Sequence, residues 1–230
     1  MGIIGVKYLG HSSFLLNVGS KKILTDPYFS STPLGTKKRL VPCAVDVFNL
    51  PKIDTILVSH EHMDSCDADS INYLCNRYDC SVISHESVLN KLSISAQNKI
   101  SIDEFDTKKM DDIEITAYPA HHPSSFYPLS FLIKEKGGKS VFFAGDTFMT
   151  NEHDLIKPTI AILPIGGKRT MDISSAVRVS KKMAPEYLIP MHYNTFDDIK
   201  VNANLLKYKL EDTRYPIKTV ILNPGQLFKI

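Results

Sequence analysis

"SHEHMDSCD", residues 59–67, follows directly on "IDTILV", residues 53–58. A short apolar run of this kind reads as a buried strand. The loop after it then carries two histidines one residue apart and an aspartate two further on: His60, His62 and Asp64. Three metal-capable side chains at one strand end look like the start of a metal site. A third imidazole directly after the aspartate would extend the set, but Ser65 stands there.

Working outward, the remaining metal-capable side chains recur in the same place. His121 and His122 follow "IEITAYPA", Asp146 follows "KSVFFAG", and His192 follows "YLIPM". Each cluster lies just past an apolar strand, where loops from neighbouring strands meet at one edge of a sheet. A lone histidine after a strand is usually a hydrogen-bonded structural residue; four clusters at four strand ends are not explained that way. His121 and His122 are neighbours on an extended segment, so only one of them can face the site. Imidazoles and carboxylates together suit zinc, manganese or iron. One aspartate shared between two cations about 3.5–4 Å apart allows water to be activated as a nucleophile. No GxSxG and no GxxxxGK[ST] motif competes with this chemistry.

The rest of the chain frames the site. "SFLLNV" and "KKILTD" flank Gly19-Ser20 and read as a hairpin. A long loop with the basic run Lys37, Lys38, Arg39 spans Pro27 to Pro51 and reads as a lid or binding loop. Helices are expected over "DADSINYLCNRY", "HESVLNKL", "DISSAVRVSKKM" (with Asp172 as N-cap) and "DIKVNANLLKYKL", and strands over "CSVIS", "SFLIKE", "IAILPIGG" and parts of "TVILNPGQLFKI". Strands followed by helices in each half, with no low-complexity linker, imply helices on the outer faces of two packed sheets, in one domain over residues 1–230.

Composition narrows the function classes. Twenty-seven basic against 25 acidic side chains leave a net charge of +2, which gives no global case for nucleic acid as a partner. No apolar run reaches the roughly 18 residues of a membrane span. "MGIIGVKYLGHSSF" lacks the basic start, apolar core and cleavage site of a signal peptide. Cys43, Cys66, Cys75 and Cys80 form no CxxC pair, so reduced thiols in a cytoplasmic protein are expected.

Taken together, "GHSSFLL", "KKILTDPYF", "SHEHMDS", "PAHHPSS", "FFAGDT", "LPIGGKRTMD" and "IPMHYNTF" resemble the metallo-β-lactamase superfamily across essentially the whole chain. Within it they resemble the branch that holds the L-ascorbate-6-phosphate lactonase-like enzymes and related metal-dependent hydrolases. The resemblance implies an α/β fold, a four-layer αββα sandwich of two mixed sheets flanked by helices. It implies His60, His62 and His122 (rather than His121) at a first metal, Asp64 and His192 at a second, and Asp146 bridging. It also implies Asp64, with His60 and His62, as the catalytic set, and one or two divalent cations, zinc first with manganese or iron as alternatives. The reaction expected is hydrolysis of a small ester, lactone, amide or phosphodiester-type substrate, an anionic one if the basic loop selects it. Relatives often assemble as homo-oligomers.

Ser65 is the departure. In the resembling family that position holds a histidine of the second site, so a weakened second site is expected. Cys66 could stand in only after a one-residue shift. The alternative reading is a ligand-binding or sensing protein that keeps the fold without efficient turnover. Relatives that act as flavin-linked diiron oxidoreductases carry Glu where His62 stands. Among the other histidines, His11 is read as structural or substrate-contacting, and His85 and His153 as surface or capping residues. Asp26 is read as fixing a turn.

Overall fold

The computed structural model describes residues 3–31, 33–211 and 216–230. One sheet is built from β1 (Gly5–Gly10), β2 (Ser13–Val18), β3 (Lys21–Thr25), β4 (Thr55–Leu57), β5 (Ser81–Ser84) and β6 (Lys99–Ser101). The other takes β7 (Thr107–Met110), β8 (Ile113–Pro119), β9 (Leu129–Glu135), β10 (Ser140–Phe143), β11 (Ile160–Pro164), β12 (Tyr187–Met191) and β13 (Lys218–Thr219). The last strand, β14 (Leu227–Lys229), returns to pair with β1. The orders are β14-β1-β2-β3-β4-β5-β6 and β13-β12-β11-β10-β9-β8-β7. Both sheets are mixed. The first is antiparallel from β14 to β3 and parallel from β3 to β6. The second is antiparallel from β7 to β10 and parallel from β10 to β13.

The period of two along the first sheet divides its side chains between two cores. Phe14, Leu16, Ile23, Leu57 and Ile83 join the core shared with the second sheet, which holds Ile115, Phe131 and Phe142. Their neighbours Leu15, Leu24, Ile56 and Val82 face the other way, onto Ile71 and Leu74 of α1 (Ala68–Tyr78) and Val88 and Leu89 of α2 (Glu86–Leu89). On the second sheet α3 (Ile173–Met183) packs against β11 and buries Ala176, Val179 and Met183 at helical spacing. Two sheets face to face with helices outside are the expected αββα layers.

Local chemistry sets the helix ends. Asp172 caps α3, its Oδ1 accepting from the Ser175 N–H at 2.7 Å. Asp67 caps α1 by accepting from the Ser70 N–H, and its Oδ2 also takes the N–H groups of Phe29 and Ser30, both at 3.1 Å. This one carboxylate therefore ties the loop carrying His60, His62 and Asp64 to the start of the Pro27–Pro51 loop.

One expectation needs correction, and two strands went unread. The helix expected over "DIKVNANLLKYKL" begins later: Asp197–Ile199 is a 3₁₀ turn, and α4 covers Asn204–Glu211. Asn194 Oδ1 takes the Val201 N–H and Asn202 Oδ1 the Asn204 N–H, side-chain bonds that replace helical ones across the gap. The short strands β6 and β7 had no apolar signature; "TKKM" is polar and half-exposed.

Asp67→Ala removes a helix cap and leaves two loop N–H groups without their acceptor, a cost of about 2–3 kcal/mol. Thermal unfolding should show Tm falling by roughly 5–10 °C; a shift below about 2 °C would contradict the tie.

Candidate metal centre

The topology sends the carboxyl ends of β1, β4, β8, β10, β11 and β12 to one edge of the sandwich, because these strands share a direction within each sheet. The residues just past them are His11, then His60, His62 and Asp64, then His122, Asp146, Lys168 with Arg169, and His192.

Three imidazoles form a first group. The ring centroids of His60, His62 and His122 lie 4.6, 4.7 and 4.8 Å apart, a near-equilateral triangle. Their ligand-capable atoms all fall within 4.8 Å of one another. The outward-facing nitrogen of each ring has a partner. His60 Nδ1 lies 2.9 Å from Ser59 Oγ, whose hydroxyl donates to Asp26 Oδ2 at 2.6 Å. His122 Nδ1 meets the Arg169 carbonyl at 3.1 Å, and His62 Nε2 meets that of Ser124 at 3.4 Å. These partners orient the rings so that His60 Nε2, His122 Nε2 and His62 Nδ1 point inward, the arrangement that second partners impose on metal-binding histidines. Burial pushes the His60 pKa down to about 4, so its ring is neutral near pH 7.

A second group gathers His11, Asp64 and His192, again with ligand atoms within 4.8 Å of one another. Asp146 stands between the groups. Its Oδ2 lies 2.9 Å from His192 Nε2, and its charge acts on His60 and His122. Burial works to lower the His192 pKa, but the Asp146 carboxylate overrides it and carries it up to about 9. Burial likewise works to raise the Asp64 pKa, and the neighbouring His11 reverses this, holding the carboxyl well below its usual range. His60 Nε2, both ring nitrogens of His11, His192 Nδ1 and Asp146 Oδ1 are buried without hydrogen-bond partners. Unpaired buried polar atoms are costly. A divalent cation in each group would satisfy converging donors of this kind, so the donor set fits a metal.

The remaining expectations sort as follows. Of the adjacent pair, His122 is buried in the first group, while His121 is exposed and packs edge-on against Phe148. Ser65 is fully buried. Its Oγ approaches the Asp26 carboxylate, close enough to lower that pKa but short of full hydrogen-bond geometry, and it joins neither group. Cys66 is likewise outside both groups, with its thiol pushed up to about 12 by burial. His85 caps α2, and His153, which is buried, forms a capping box with Thr150. Asp26 does more than fix a turn, since it anchors the Ser59–His60 pair. His11 belongs to the second group, a placement that the sequence pattern alone did not show. Close backbone approach requires two glycines: a Cβ on Gly145 would sit 2.6 Å from Ser59 Cβ, and one on Gly166 would sit 2.3 Å from the His192 carbonyl oxygen.

The groups form the floor of a cavity of about 480 Å³ whose walls include Lys37, Lys168, Arg169, Phe196 and Asp198. Of the basic run only Lys37 reaches it, in an ion pair with Asp198 at 2.7 Å. Arg39 turns away, its guanidinium 4.4 Å from the Tyr28 ring and bonded to the Tyr28 and Val41 carbonyls.

Residues 5–192 match the Beta-lactamase superfamily domain. The chain belongs to that superfamily. A UPF0173 metal-dependent hydrolase of Methanosarcina mazei is 32% identical over the whole of both chains. A protein of the same description from Pyrococcus furiosus is 30% identical, covering 99% of this chain and 100% of its own. The structure of a metallo hydrolase from Ignicoccus hospitalis superposes with a TM-score of 0.83 at 29% identity, over 100% of this chain and 99% of that one.

Ser59→Ala takes away the hydroxyl that orients His60. Chelator competition should show zinc affinity at the three-imidazole group falling by about 10–100-fold; unchanged affinity would mean that the ring is held by packing alone.

Proposed function

We propose that this superfamily member is a metal-dependent hydrolase acting on a small anionic ester, lactone, amide or phosphodiester-type substrate. The observation that carries the reading is the convergence of three imidazole nitrogens from the ends of β4 and β8, with His60 Nε2 buried and unpartnered and His122 Nε2 lying 3.0 Å from His62 Nδ1. His60, His62 and His122 would hold one cation, Asp64 and His192 a second, with Asp146 shared between them. Zinc fits this mixed donor set, with manganese and iron as alternatives. Position 65 lends no imidazole, so the second cation binds more weakly than the first. Bound metal supplies activation of water and polarisation of the substrate oxygen.

The chain's own groups do the rest. Asp64, ionised across the working pH range and partly open to the cavity, is placed to accept the proton released as water attacks. His60 and His62 hold the reacting centre against the strand end. Lys168 and Arg169, both exposed on the wall, with Lys37 beside them, give the mouth a positive field that draws an anion inward. Four free thiols suit a reducing compartment, and we place the protein in the cytoplasm. Among the described residues no helix is long and apolar enough to cross a membrane.

The test is a panel of phosphodiesters, lactones and neutral esters assayed with added zinc or manganese. Wild type should turn over one class well above free metal. His60→Ala should abolish that turnover, and Lys168→Glu should raise KM for the anionic members several-fold while sparing kcat. Turnover that survives His60→Ala, or none above free metal alongside tight ligand binding, would overturn the proposal; the latter would favour a sensor.

A further inference from the structure

We infer that His11 is a ligand of the second cation, replacing the imidazole that position 65 does not provide. The inference rests on the metal-dependent reading above and extends it to a residue seven positions into the first strand-and-turn of the chain.

His11 is fully buried, and neither ring nitrogen has a hydrogen-bond partner. That separates it from the buried histidines with evident anchors. His60, His122 and His153 each engage one ring nitrogen with a hydroxyl or a carbonyl. A structural imidazole at this depth would be expected to do the same, because an unpaired buried polar group is costly. The His11 ring instead faces donors. Its Nε2 lies 3.6 Å from Asp64 Oδ2, just beyond hydrogen-bond reach, and its centroid lies 4.3 Å from that of His192. Two atoms that converge without bonding leave room for a third between them.

The backbone is shaped to aim this ring. β1 carries a register shift between Tyr8 and Gly10, immediately before His11, and bulges re-aim side chains next to functional sites. His11 then adopts φ +56°, and His192 adopts φ +51°. Non-glycine residues in this region are uncommon, and such strain gathers at ligand sites. The two strand ends are locked together, since the His192 N–H donates to the His11 carbonyl at 3.0 Å. Tyr28 and Phe196 hold the ring in place edge-on, with centroids 5.8 and 5.5 Å away. Ser65 is fully buried and belongs to neither group. With Asp146, the second group becomes two imidazoles and two carboxylates, whose charge balances a divalent cation.

The experiment is zinc titration of metal-stripped protein against a chelator of known affinity, reading zinc per chain and the Kd of each equivalent. His11→Asn removes the imidazole, and Asn tolerates a positive φ. Wild type should take two zinc ions. His11→Asn should keep the first at unchanged Kd and weaken the second at least tenfold (about what losing even an indirect partner costs), and adding Ser65→His to that variant should restore it. If His11→Asn does not fold, histidine-¹⁵N NMR of wild type answers the question: the His11 ring nitrogens should shift with the second equivalent only. Two zinc ions at unchanged Kd in His11→Asn, or no His11 shift, would overturn the assignment. So would a wild type that takes only one, although that result leaves the hydrolase reading standing. A wild type that takes no zinc and no manganese overturns both.

Discussion

Asp26 has no exposure to solvent, and the site hangs from it. Its carboxylate accepts from the Ser59 N–H at 2.7 Å and from the Ser59 hydroxyl at 2.6 Å, and Ser59 in turn orients His60. Its backbone N–H donates to the Leu57 carbonyl, and its own carbonyl accepts from Ser13 Oγ. One residue thus joins the ends of β2, β3 and β4 at the place where the first group begins. Burial pushes its pKa well up, and the Ser59 bonds oppose that rise. The carboxylate and Ser59 need each other, and the direction in which His60 points depends on both.

The same edge of the sandwich concentrates backbone strain. His11, Asp26, Ser124, Lys168, His192 and Asn194 all have positive φ. Each such residue costs of order 1–3 kcal/mol, and the surrounding sheets must hold it. These six residues follow five strands and gather at one edge of the sandwich. A cation satisfying the donors would offset part of that cost, so metal binding and folding stability should be coupled here.

Much of this was legible in the sequence. Strand-end placement of His60, His62, Asp64, Asp146 and His192 followed from apolar runs of strand length, and the α1 and α3 helices from spacing and caps. What was hidden depended on contacts far apart in the chain. No local pattern distinguishes a structural His11 from one that faces Asp64, 53 positions on. The start of α4 was misread because Ile199, Ala203, Leu206 and Leu210 are all buried at helical spacing, while Asn194 and Asn202 interrupt the helix with side-chain bonds. The orientation of Arg39 was equally out of reach, since a basic run reads the same whether it faces solvent or lies over Tyr28.

The most direct test of a metal centre at this edge is anomalous diffraction at the zinc absorption edge from crystals grown with zinc. One peak should lie among His60, His62 and His122, about 2.0–2.1 Å from each coordinating nitrogen, and a second should lie among Asp64, Asp146, His192 and His11. A chain that crystallises with zinc in solution and shows no peak at the three imidazoles would contradict the account.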